Sequence, residues 1–168
     1  MKQSCHLAVL TISDSRTMAT DKSGDLLSQL IIDDGHQVVA RALCRDDVKL
    51  ITAQLSQWID DQHIDCIVTT GGTGITGRDV TPEAFELLIE KDIPGFGEMF
   101  RWLSYQTIGT SALQSRAVAG VCRGTYLFAL PGSSGAVKDG WQKILTHQLD
   151  STHKPCNLVE LFPRLQEK

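Results

Sequence analysis

The chain has 168 residues, a formal net charge of −4 and 42% hydrophobic residues. This length suffices for one hydrophobic core but not for two full domains, and the composition is that of a globular protein rather than a disordered one. The negative net charge argues against a protein that grips nucleic acid through its phosphates. We therefore predict a single domain over residues 1–168, in which residues 151–168 form a tail on the surface.

Targeting and metal-binding signals are absent from the sequence. No apolar run approaches the roughly 20 residues of a membrane helix, and the apolar stretch at residues 7–12 is too short for a signal peptide. The five cysteines are odd in number and are never spaced Cys-x-x-Cys, and the five histidines form no His-x-x-x-His pair. These features favour reduced thiols and a cytoplasmic location, and argue against a disulfide framework, a structural zinc site or a membrane partner.

Predicted strands and helices alternate from the first residues onward. Residues 7–13 form an apolar run rich in Val, Ile and Thr, which predicts a buried strand. Residues 25–34 carry leucine and isoleucine at helical spacing, and Gly35 follows where a glycine ends many helices. Residues 37–43 predict a second strand.

The same alternation continues through the middle of the chain. Residues 47–61 place their apolar side chains on one stripe, which predicts a helix. Residues 64–70 are apolar enough for a strand that is buried on both faces. Thr81 is a candidate helix N-cap with Pro82 at the first helical position, and this helix is expected to end near Lys91.

The last third of the chain contains less regular segments. Residues 93–119 are predicted to be helical in part. A turn at residues 122–124 precedes a strand at residues 126–130, and residues 131–135 form a loop. The apolar residues that mark a last helix are Val137, Trp141, Ile144 and Leu145.

Strands that alternate with helices imply right-handed βαβ units. We therefore predict an α/β fold, a three-layer sandwich with a mostly parallel sheet and helices on both faces. Ligands of such folds bind at the carboxyl ends of the strands. The loops of interest are accordingly those that follow Ser13, Leu43, Thr70 and Leu130.

A glycine-rich loop follows the third predicted strand, with glycine at positions 71, 72, 74 and 77. Such a backbone lets N–H groups approach an anion closely, and the helix predicted from Pro82 begins nearby, which favours phosphate binding over a merely flexible loop. The loop also contains the string Gly-x-Gly-x-x-Gly, which leaves an NAD(P)-dependent oxidoreductase as an alternative. In a true dinucleotide fingerprint, however, the helix opens within the glycines, whereas here it is predicted to begin after them. A Walker loop would need a following Gly-Lys-Ser/Thr, which this sequence lacks.

Two groups of acids accompany this loop. Asp79 either stabilises a helix N-terminus, which contributes about 0.3–1 kcal/mol, or lies beside phosphates and holds a bridging Mg²⁺. Of Asp46 and Asp47, one is expected to cap the following helix. The other is free to converge with Asp79 on one cleft, as in metal-nucleotide sites.

Ser13, Asp14, Gly132 and Ser133 are candidates for the rim of the same cleft. Alternatively, these residues only stabilise ordinary turns of the backbone. The segment at residues 132–135 does not satisfy Gly-x-Ser-x-Gly in any frame, which argues against a serine hydrolase.

Residues 96–103 are too apolar all round for a surface helix of a monomer. Aromatic residues, methionine and arginine, which this segment combines, are enriched at the cores of interfaces. The segment therefore predicts self-association, and Trp102 is the candidate contact residue.

Several motifs together resemble the MoaB/Mog family of molybdenum-cofactor biosynthesis proteins, and the likeness spans nearly the whole chain. It rests on TTGGTG at residues 69–74, RDVTP at 78–82, PGFGEMF at 94–100, SRAVAGV at 115–121 and LPG at 130–132. The stretch KPCNLVEL at residues 154–161 places the chain nearer the MoaB branch.

The resemblance implies a three-layer α/β domain that assembles as trimers or paired trimers and binds molybdopterin. In the active branch of the family, the terminal phosphate of the pterin attacks the α-phosphorus of Mg-ATP, which yields adenylyl-molybdopterin and pyrophosphate. A non-catalytic protein of the same fold, which holds molybdopterin without consuming ATP, is the alternative.

The resemblance also assigns roles to individual residues. Gly71, Gly72, Thr73 and Gly74 match the phosphate-binding loop of the family. Asp79 matches its essential aspartate, with Mg²⁺ as the associated ion. Asp46 matches a second functional aspartate, and Asp47 is the other candidate for that position.

Overall fold

The computed structural model describes residues 2–167, and a mixed six-stranded sheet forms the centre of this part of the chain. Residues 1 and 168, the two ends of the predicted domain, lie outside it. The strands are β1 (His6–Ile12), β2 (Gln37–Cys44), β3 (Cys66–Thr70), β4 (Lys91–Asp92), β5 (Val118–Cys122) and β6 (Thr125–Leu130). Their order across the sheet is β2-β1-β3-β6-β5-β4, with β2, β1, β3 and β6 parallel and β5 and β4 antiparallel to their neighbours.

Helices cover both faces of the sheet. They are α1 (Lys22–Asp33), α2 (Val48–Ile59), α3 (Thr81–Glu86), α4 (Pro94–Ile108), α5 (Ser134–Gly140) and α6 (Thr146–Gln148). Shorter helical turns span Gly109–Gln114, Trp141–Leu145 and Val159–Arg164. The predicted α/β fold with a mostly parallel sheet is confirmed.

The sheet divides the core into two apolar layers because successive residues of a strand face opposite sides. Leu7 and Val9 of β1 pack with residues of α1, α4 and α5, whereas Ala8 and Leu10 pack with residues of α2 and α3. All of β3 is buried, as its apolar sequence predicts for a strand covered on both faces.

Two strands, β4 and β5, were not predicted from the sequence, whereas β6 lies where a strand was expected. β5 and β6 form a hairpin whose turn residues Arg123 and Gly124 both have positive φ, at 49° and 88°. Such a two-residue turn matches the right-handed twist of its flanking strands. β5 was missed because its five residues are too few to show an alternating pattern.

The prediction that Thr81 caps a helix reaching Lys91 was wrong. Val80 occupies the cap position, and α3 ends at Glu86. The chain beyond α3 enters the sheet, because the N–H of Glu90 donates to the carbonyl of Val121 at 2.9 Å and β4 follows directly. These long-range hydrogen bonds override the local helical pattern.

The segment from residue 151 onward lies across one edge of the core. Val159 is 3% exposed, and Leu158, Phe162 and Leu165 pack against the same apolar layer. The hydroxyl of Tyr126 donates to the carbonyl of Leu158 at 3.1 Å. No helix within residues 2–167 is long and apolar enough to cross a membrane.

A buried histidine connects the start of β1 with the helical layer. His36 is 4% exposed, and its Nδ1 accepts a hydrogen bond from the N–H of Cys5 at 3.1 Å. Its Nε2 has no hydrogen-bond partner within residues 2–167, and the ring meets Trp141 edge-on at 6.2 Å. Burial lowers the pKa of His36, because the charged imidazolium would lose its hydration.

The lowered pKa of His36 predicts a loss of stability in mild acid. Above the ordinary histidine pKa of about 6.5, both the folded and the unfolded chain hold a neutral ring. As the pH falls below that value, the unfolded chain takes up the proton first, so the free energy of unfolding decreases by up to about 1.4 kcal/mol per pH unit. Urea unfolding from pH 7.5 to 5 measures this slope.

The variant His36→Asn isolates this contribution, since it keeps a hydrogen-bond acceptor but does not titrate in this range. We expect a shallower pH slope for His36→Asn than for the wild type. His63→Asn, a change at an exposed histidine, serves as the control. Equal slopes for the wild type and His36→Asn would contradict the assignment.

Candidate functional site

A cleft of about 590 Å³ opens where β1, β3 and β6 end, at the carboxyl edge of the sheet. The structure brings together nine of the ten site residues that the sequence predicted. They are Ser13, Asp46, Gly71, Gly72, Thr73, Gly74, Asp79, Gly132 and Ser133. The tenth, Asp14, contacts its neighbours beside the cleft.

The glycine loop adopts a backbone conformation that requires glycine at its first two positions. Gly71 and Gly72 have φ values of +108° and +66°, which side chains disfavour. The N–H of Gly71 donates to the carbonyl of Leu130 at 2.9 Å, and the hydroxyl of Thr81 donates to the carbonyl of Gly71 at 2.8 Å. Thr81 therefore ties the loop to the start of α3 instead of capping that helix.

Arg116 holds the far end of this loop, a role that was not predicted from the sequence. Its Nε donates to the carbonyl of Gly74 at 2.6 Å and its Nη2 to the carbonyl of Asp79 at 2.7 Å. Its Nη1 contacts Glu83 of α3 at 2.5 Å, and its backbone N–H donates to the carbonyl of Thr73 at 2.9 Å. One side chain thus fixes both ends of the segment from Gly74 to Asp79.

Asp79 lies in a tight turn within that segment. Its Oδ2 accepts hydrogen bonds from the hydroxyl of Thr76 at 2.6 Å and from the N–H of Thr76 at 2.9 Å. The hydroxyl of Thr76, with further backbone N–H groups, lowers the pKa of Asp79, so its carboxylate stays ionised. A Cβ atom at Gly74 would lie 2.7 Å from this Oδ2, so glycine at that position makes room for the carboxylate.

The structure separates the roles of the two adjacent acids after β2. Asp47 is the N-cap of α2, where its Oδ1 accepts a hydrogen bond from the N–H of Leu50 at 3.0 Å. Asp46 lines the cleft and lies close to the glycine loop, since a Cβ atom added at Gly72 would be 3.0 Å from its Oδ1. Partial burial, assisted by the nearby carboxylate of Asp14, raises the pKa of Asp46.

Asp14 supports its neighbours and is not among the residues that line the cleft. Its Oδ2 accepts hydrogen bonds from Nε of Arg78, at 2.8 Å, and from Nη2 of the same side chain. Its Oδ1 accepts the N–H of Asp46 at 3.2 Å. The hydrogen bonds from Arg78 lower the pKa of Asp14. Asp14 therefore links the loop after β1 to the loops that carry Asp46 and Asp79.

Ser13 and Ser133 line the cleft, and their hydroxyl oxygens also accept hydrogen bonds that stabilise the local backbone. The Ser13 hydroxyl oxygen accepts the N–H groups of Ser15 and Arg16 at 3.3 Å each. The Ser133 hydroxyl oxygen accepts the N–H of Ala136 at 3.1 Å and so caps α5. Gly132 approaches the glycine loop so closely that a Cβ there would lie 3.2 Å from Cα of Gly71.

A second part of the cleft lining is rich in hydroxyl groups, which were not predicted from the sequence. It comes from α4 and the helical turn after it, and residues 104, 107, 111 and 115 supply serine or threonine side chains. Phe100 and Ile108 provide apolar surface beside these hydroxyl groups. The spacing of these positions follows helical geometry, but only the packing of α4 against the sheet reveals that they face the cleft.

The donors present fit a metal ion that arrives with a phosphate ligand better than a resident metal. No group of three or more histidine, cysteine, aspartate or glutamate side chains within residues 2–167 is arranged to hold a metal ion. Mg²⁺ typically binds through one or two carboxylates together with substrate phosphates. Asp46 and Asp79 supply two carboxylates in one cleft.

The fold and the position of the cleft define an α/β protein whose candidate site lies at the carboxyl edge of a mostly parallel sheet. A family model described as a probable molybdopterin binding domain matches residues 8–151. The chain belongs to this family, the MoaB/Mog family of molybdenum cofactor biosynthesis proteins.

Curated relatives and solved structures agree with this assignment. Molybdenum cofactor biosynthesis protein B of Escherichia coli strain K12 is 44% identical over 151 residues, which cover 90% of this chain and 89% of that protein. The protein of the same name from Staphylococcus carnosus is 48% identical over 146 residues, with 85% of each chain covered. A crystal structure of molybdenum cofactor biosynthesis protein B matches with a TM-score of 0.88 and 38% identity, over 99% of this chain and 98% of that one.

The Arg116 contacts predict a measurable cost of substitution. In Arg116→Lys, a single ammonium replaces the fork that reaches the carbonyls of Gly74 and Asp79. Since hydrogen bonds to charged groups contribute roughly 1.5–3 kcal/mol, we expect the free energy of unfolding to fall by about 1–3 kcal/mol. Amide hydrogen exchange at residues 73–79 should accelerate more than exchange in the strands.

Arg164→Lys is the matched control, because Arg164 is exposed and pairs only with Glu167 within the part of the chain that the structure describes. Urea unfolding and hydrogen exchange with mass spectrometry measure the two effects. Exchange at residues 73–79 that is unchanged in Arg116→Lys would show that Arg116 does not hold the loop.

Proposed function

We propose that this chain binds molybdopterin in the cleft and transfers an adenylyl group from Mg-ATP to its terminal phosphate. The observation that carries the proposal is the convergence of the glycine loop with Asp46 and Asp79 in one cleft. A backbone that can approach phosphate oxygens and two carboxylates that suit a phosphate-bound Mg²⁺ are what this chemistry needs. Membership of a molybdopterin-binding family supports the choice of the acceptor.

The reaction exchanges one phosphorus–oxygen bond for another. An oxygen of the pterin phosphate forms a bond to the α-phosphorus of ATP, and the bond from that phosphorus to the bridging oxygen of the β-phosphate breaks. The bridging oxygen leaves with the electron pair as part of pyrophosphate. Such a transfer depends on positioning and on neutralising spread negative charge more than on covalent participation by the protein.

The residues of the chain divide this work between them. The loop of Gly71, Gly72, Thr73 and Gly74 holds phosphate oxygens through backbone N–H groups other than that of Gly71, which donates to Leu130. The contacts of Arg116 and Thr81 keep this loop in place. Asp79, with Asp46, would hold Mg²⁺, which when bound neutralises charge on the leaving pyrophosphate. The lowered pKa of Asp79 keeps its carboxylate available for this role across the neutral pH range.

The hydroxyl-rich wall from α4 and Gly109–Gln114 is the part of the cleft that suits the pterin. A pterin presents several nitrogen and oxygen atoms around a flat ring system. Serine and threonine side chains between Phe100 and Ile108 offer both hydrogen bonds and apolar contact to such a ring.

A non-catalytic protein that holds molybdopterin without consuming ATP is the second candidate. One observation favours it: Oδ2 of Asp79 already accepts two hydrogen bonds from Thr76 and so has a structural use. This candidate predicts molybdopterin binding without release of pyrophosphate.

We further propose that the chain assembles on threefold contacts, as a trimer or as paired trimers, in the cytoplasm. Four apolar side chains along α4, each 50–63% exposed, recur every three residues and form a stripe that winds around the helix. They are Met99, Trp102, Tyr105 and Ile108. A continuous exposed apolar stripe of this kind marks an interaction surface.

Two substitutions test the catalytic proposal. Asp79→Asn keeps the size of the side chain and one acceptor oxygen but removes the charge. We expect turnover to fall by about 10²–10³, the loss typical when one transition-state contact is removed, and Asp46→Asn to act similarly. The assay is pyrophosphate release from Mg-ATP with molybdopterin, together with a thermal melt of each variant.

Asp47→Asn is the matched control, because asparagine is as good an N-cap as aspartate and α2 should persist. We expect Asp47→Asn to keep nearly wild-type turnover. Nearly wild-type turnover in Asp79→Asn would end the catalytic assignment, and a wild-type protein that binds molybdopterin but never consumes ATP would support the second candidate.

The stripe on α4 predicts the effect of a charge at its centre. Trp102→Glu should dissociate the oligomer into monomers of about 18 kDa, because an interface core does not tolerate an unpaired carboxylate. Sedimentation velocity at micromolar protein measures the species present. Leu50→Glu, at an exposed leucine of α2, is the control and should leave the oligomer intact. A wild-type protein that sediments as a single 18 kDa species would contradict the proposal.

A further inference from the structure

We propose that Arg16 is a substrate-contacting residue of the cleft and binds a phosphate oxygen of the ligand through its guanidinium. Arg16 belongs to the loop between β1 and α1, in which only Ser13 and Asp14 are predicted from the sequence to be site residues. The inference rests on the proposed function, because it concerns how that same cleft receives phosphate-bearing ligands.

Acidic side chains outnumber basic ones among the described residues that line the cleft. Among the described residues that line it, Asp46, Asp79 and Asp139 are acidic, and Arg16 is the one lysine or arginine. Asp139 is paired with Lys143 at 2.7 Å, whereas Asp46 and Asp79 have no lysine or arginine within ion-pair distance in the described chain. A phosphate that enters this cleft therefore meets the carboxylates of Asp46 and Asp79, and the Arg16 guanidinium is the positive group among the described lining residues.

Two contacts position the Arg16 guanidinium, but they occupy only some of its N–H donors. Its Nη1 donates to the hydroxyl of Ser23, which is 1% exposed, and its Nη2 donates to the carbonyl of Gly132 at 2.9 Å. A guanidinium has five N–H donors. The other three have no acceptor within residues 2–167, and the side chain remains 34% exposed.

The buried carboxylate of Asp21 orients Arg16 but forms its closer ion pair with another arginine. Asp21 is fully buried, caps α1 and accepts a hydrogen bond from Thr11 at 2.6 Å. Its close ionic partner is Arg41 at 3.0 Å, while Nη1 of Arg16 lies 3.7 Å away. Asp21 therefore orients Arg16, and Arg41 supplies the nearer compensating charge.

This combination suits recognition of phosphate. A planar fork with several unmatched donors binds two phosphate oxygens at once, and a fixed guanidinium loses little conformational entropy on binding. The phosphate can belong to the pterin or to the nucleotide, and the chemistry of recognition is the same. The contact to Gly132 places the guanidinium beside the loop that also carries Ser133.

The test compares Arg16→Gln, Arg16→Lys and Lys22→Gln with the wild type. Arg16→Gln removes the charge, and Arg16→Lys keeps the charge without the fork. Lys22→Gln removes an equal charge from an exposed position six residues away and is the control. The probes are molybdopterin, phosphatase-treated molybdopterin, Mg-ATP and pyrophosphate, with dissociation constants from titration calorimetry and a thermal melt for each variant.

We expect Arg16→Gln to weaken binding of at least one phosphate-bearing probe by about 10- to 100-fold, the size of a lost hydrogen bond to a charged group. Binding of phosphatase-treated molybdopterin should not change, Arg16→Lys should be intermediate, and Lys22→Gln should match the wild type. A purely structural role would lower the melting temperature and weaken treated and untreated molybdopterin equally, which would overturn the proposal.

The probes also separate the possible sources of the phosphate. A loss confined to molybdopterin supports contact with the pterin phosphate, and a loss confined to Mg-ATP or pyrophosphate supports contact with the nucleotide. Wild-type protein that binds these probes through Arg16 but never releases pyrophosphate from ATP would refute adenylylation and leave the Arg16 assignment standing. Unchanged binding of every phosphate-bearing probe in a folded Arg16→Gln protein would overturn the assignment, as would a wild-type protein that binds none of them.

Discussion

The fork that Arg116 makes to the carbonyls of Gly74 and Asp79 is the contact on which the candidate site depends most. The glycine loop has no side chains of its own at Gly71, Gly72 and Gly74 to hold it in place. A backbone with positive φ at two successive residues needs outside support to keep one conformation. Arg116 lies two residues before β5 begins. The antiparallel edge of the sheet therefore positions the loop that follows the parallel strand β3.

Charge is the second constraint on the cleft. The polyphosphate ligand of our proposal would be repelled by the net charge of −4 and by two carboxylates that have no ion-pair partner among residues 2–167. In our proposal, Mg²⁺ compensates on the side of Asp46 and Asp79, and Arg16 does so beside Gly132. The two acids differ in their environments, since Thr76 lowers the pKa of Asp79 while partial burial raises that of Asp46. Such divergent environments often accompany distinct roles in one site.

Local patterns were enough to predict the parallel part of the sheet and nine of the residues that line the cleft. Strand–helix alternation indicated the parallel sheet, and the carboxyl-edge rule then pointed to the loops that carry Ser13, Asp46 and Gly71. The contacts that support the site could not be predicted in this way, because they join residues far apart in the chain. Arg116 lies 37 residues from Asp79, and Arg16 lies 116 residues from Gly132. The early end of α3 has the same cause, since pairing with β5 decides it.

The most direct test of the proposed function is to look for the covalent product in a single turnover. Stoichiometric wild-type protein, molybdopterin and Mg-ATP are mixed, quenched and analysed by mass spectrometry, with pyrophosphate measured in the same samples. Adenylylation predicts a molybdopterin that carries one adenylyl group and one pyrophosphate released for each product formed. Unchanged molybdopterin and ATP after both have saturated the protein would contradict it.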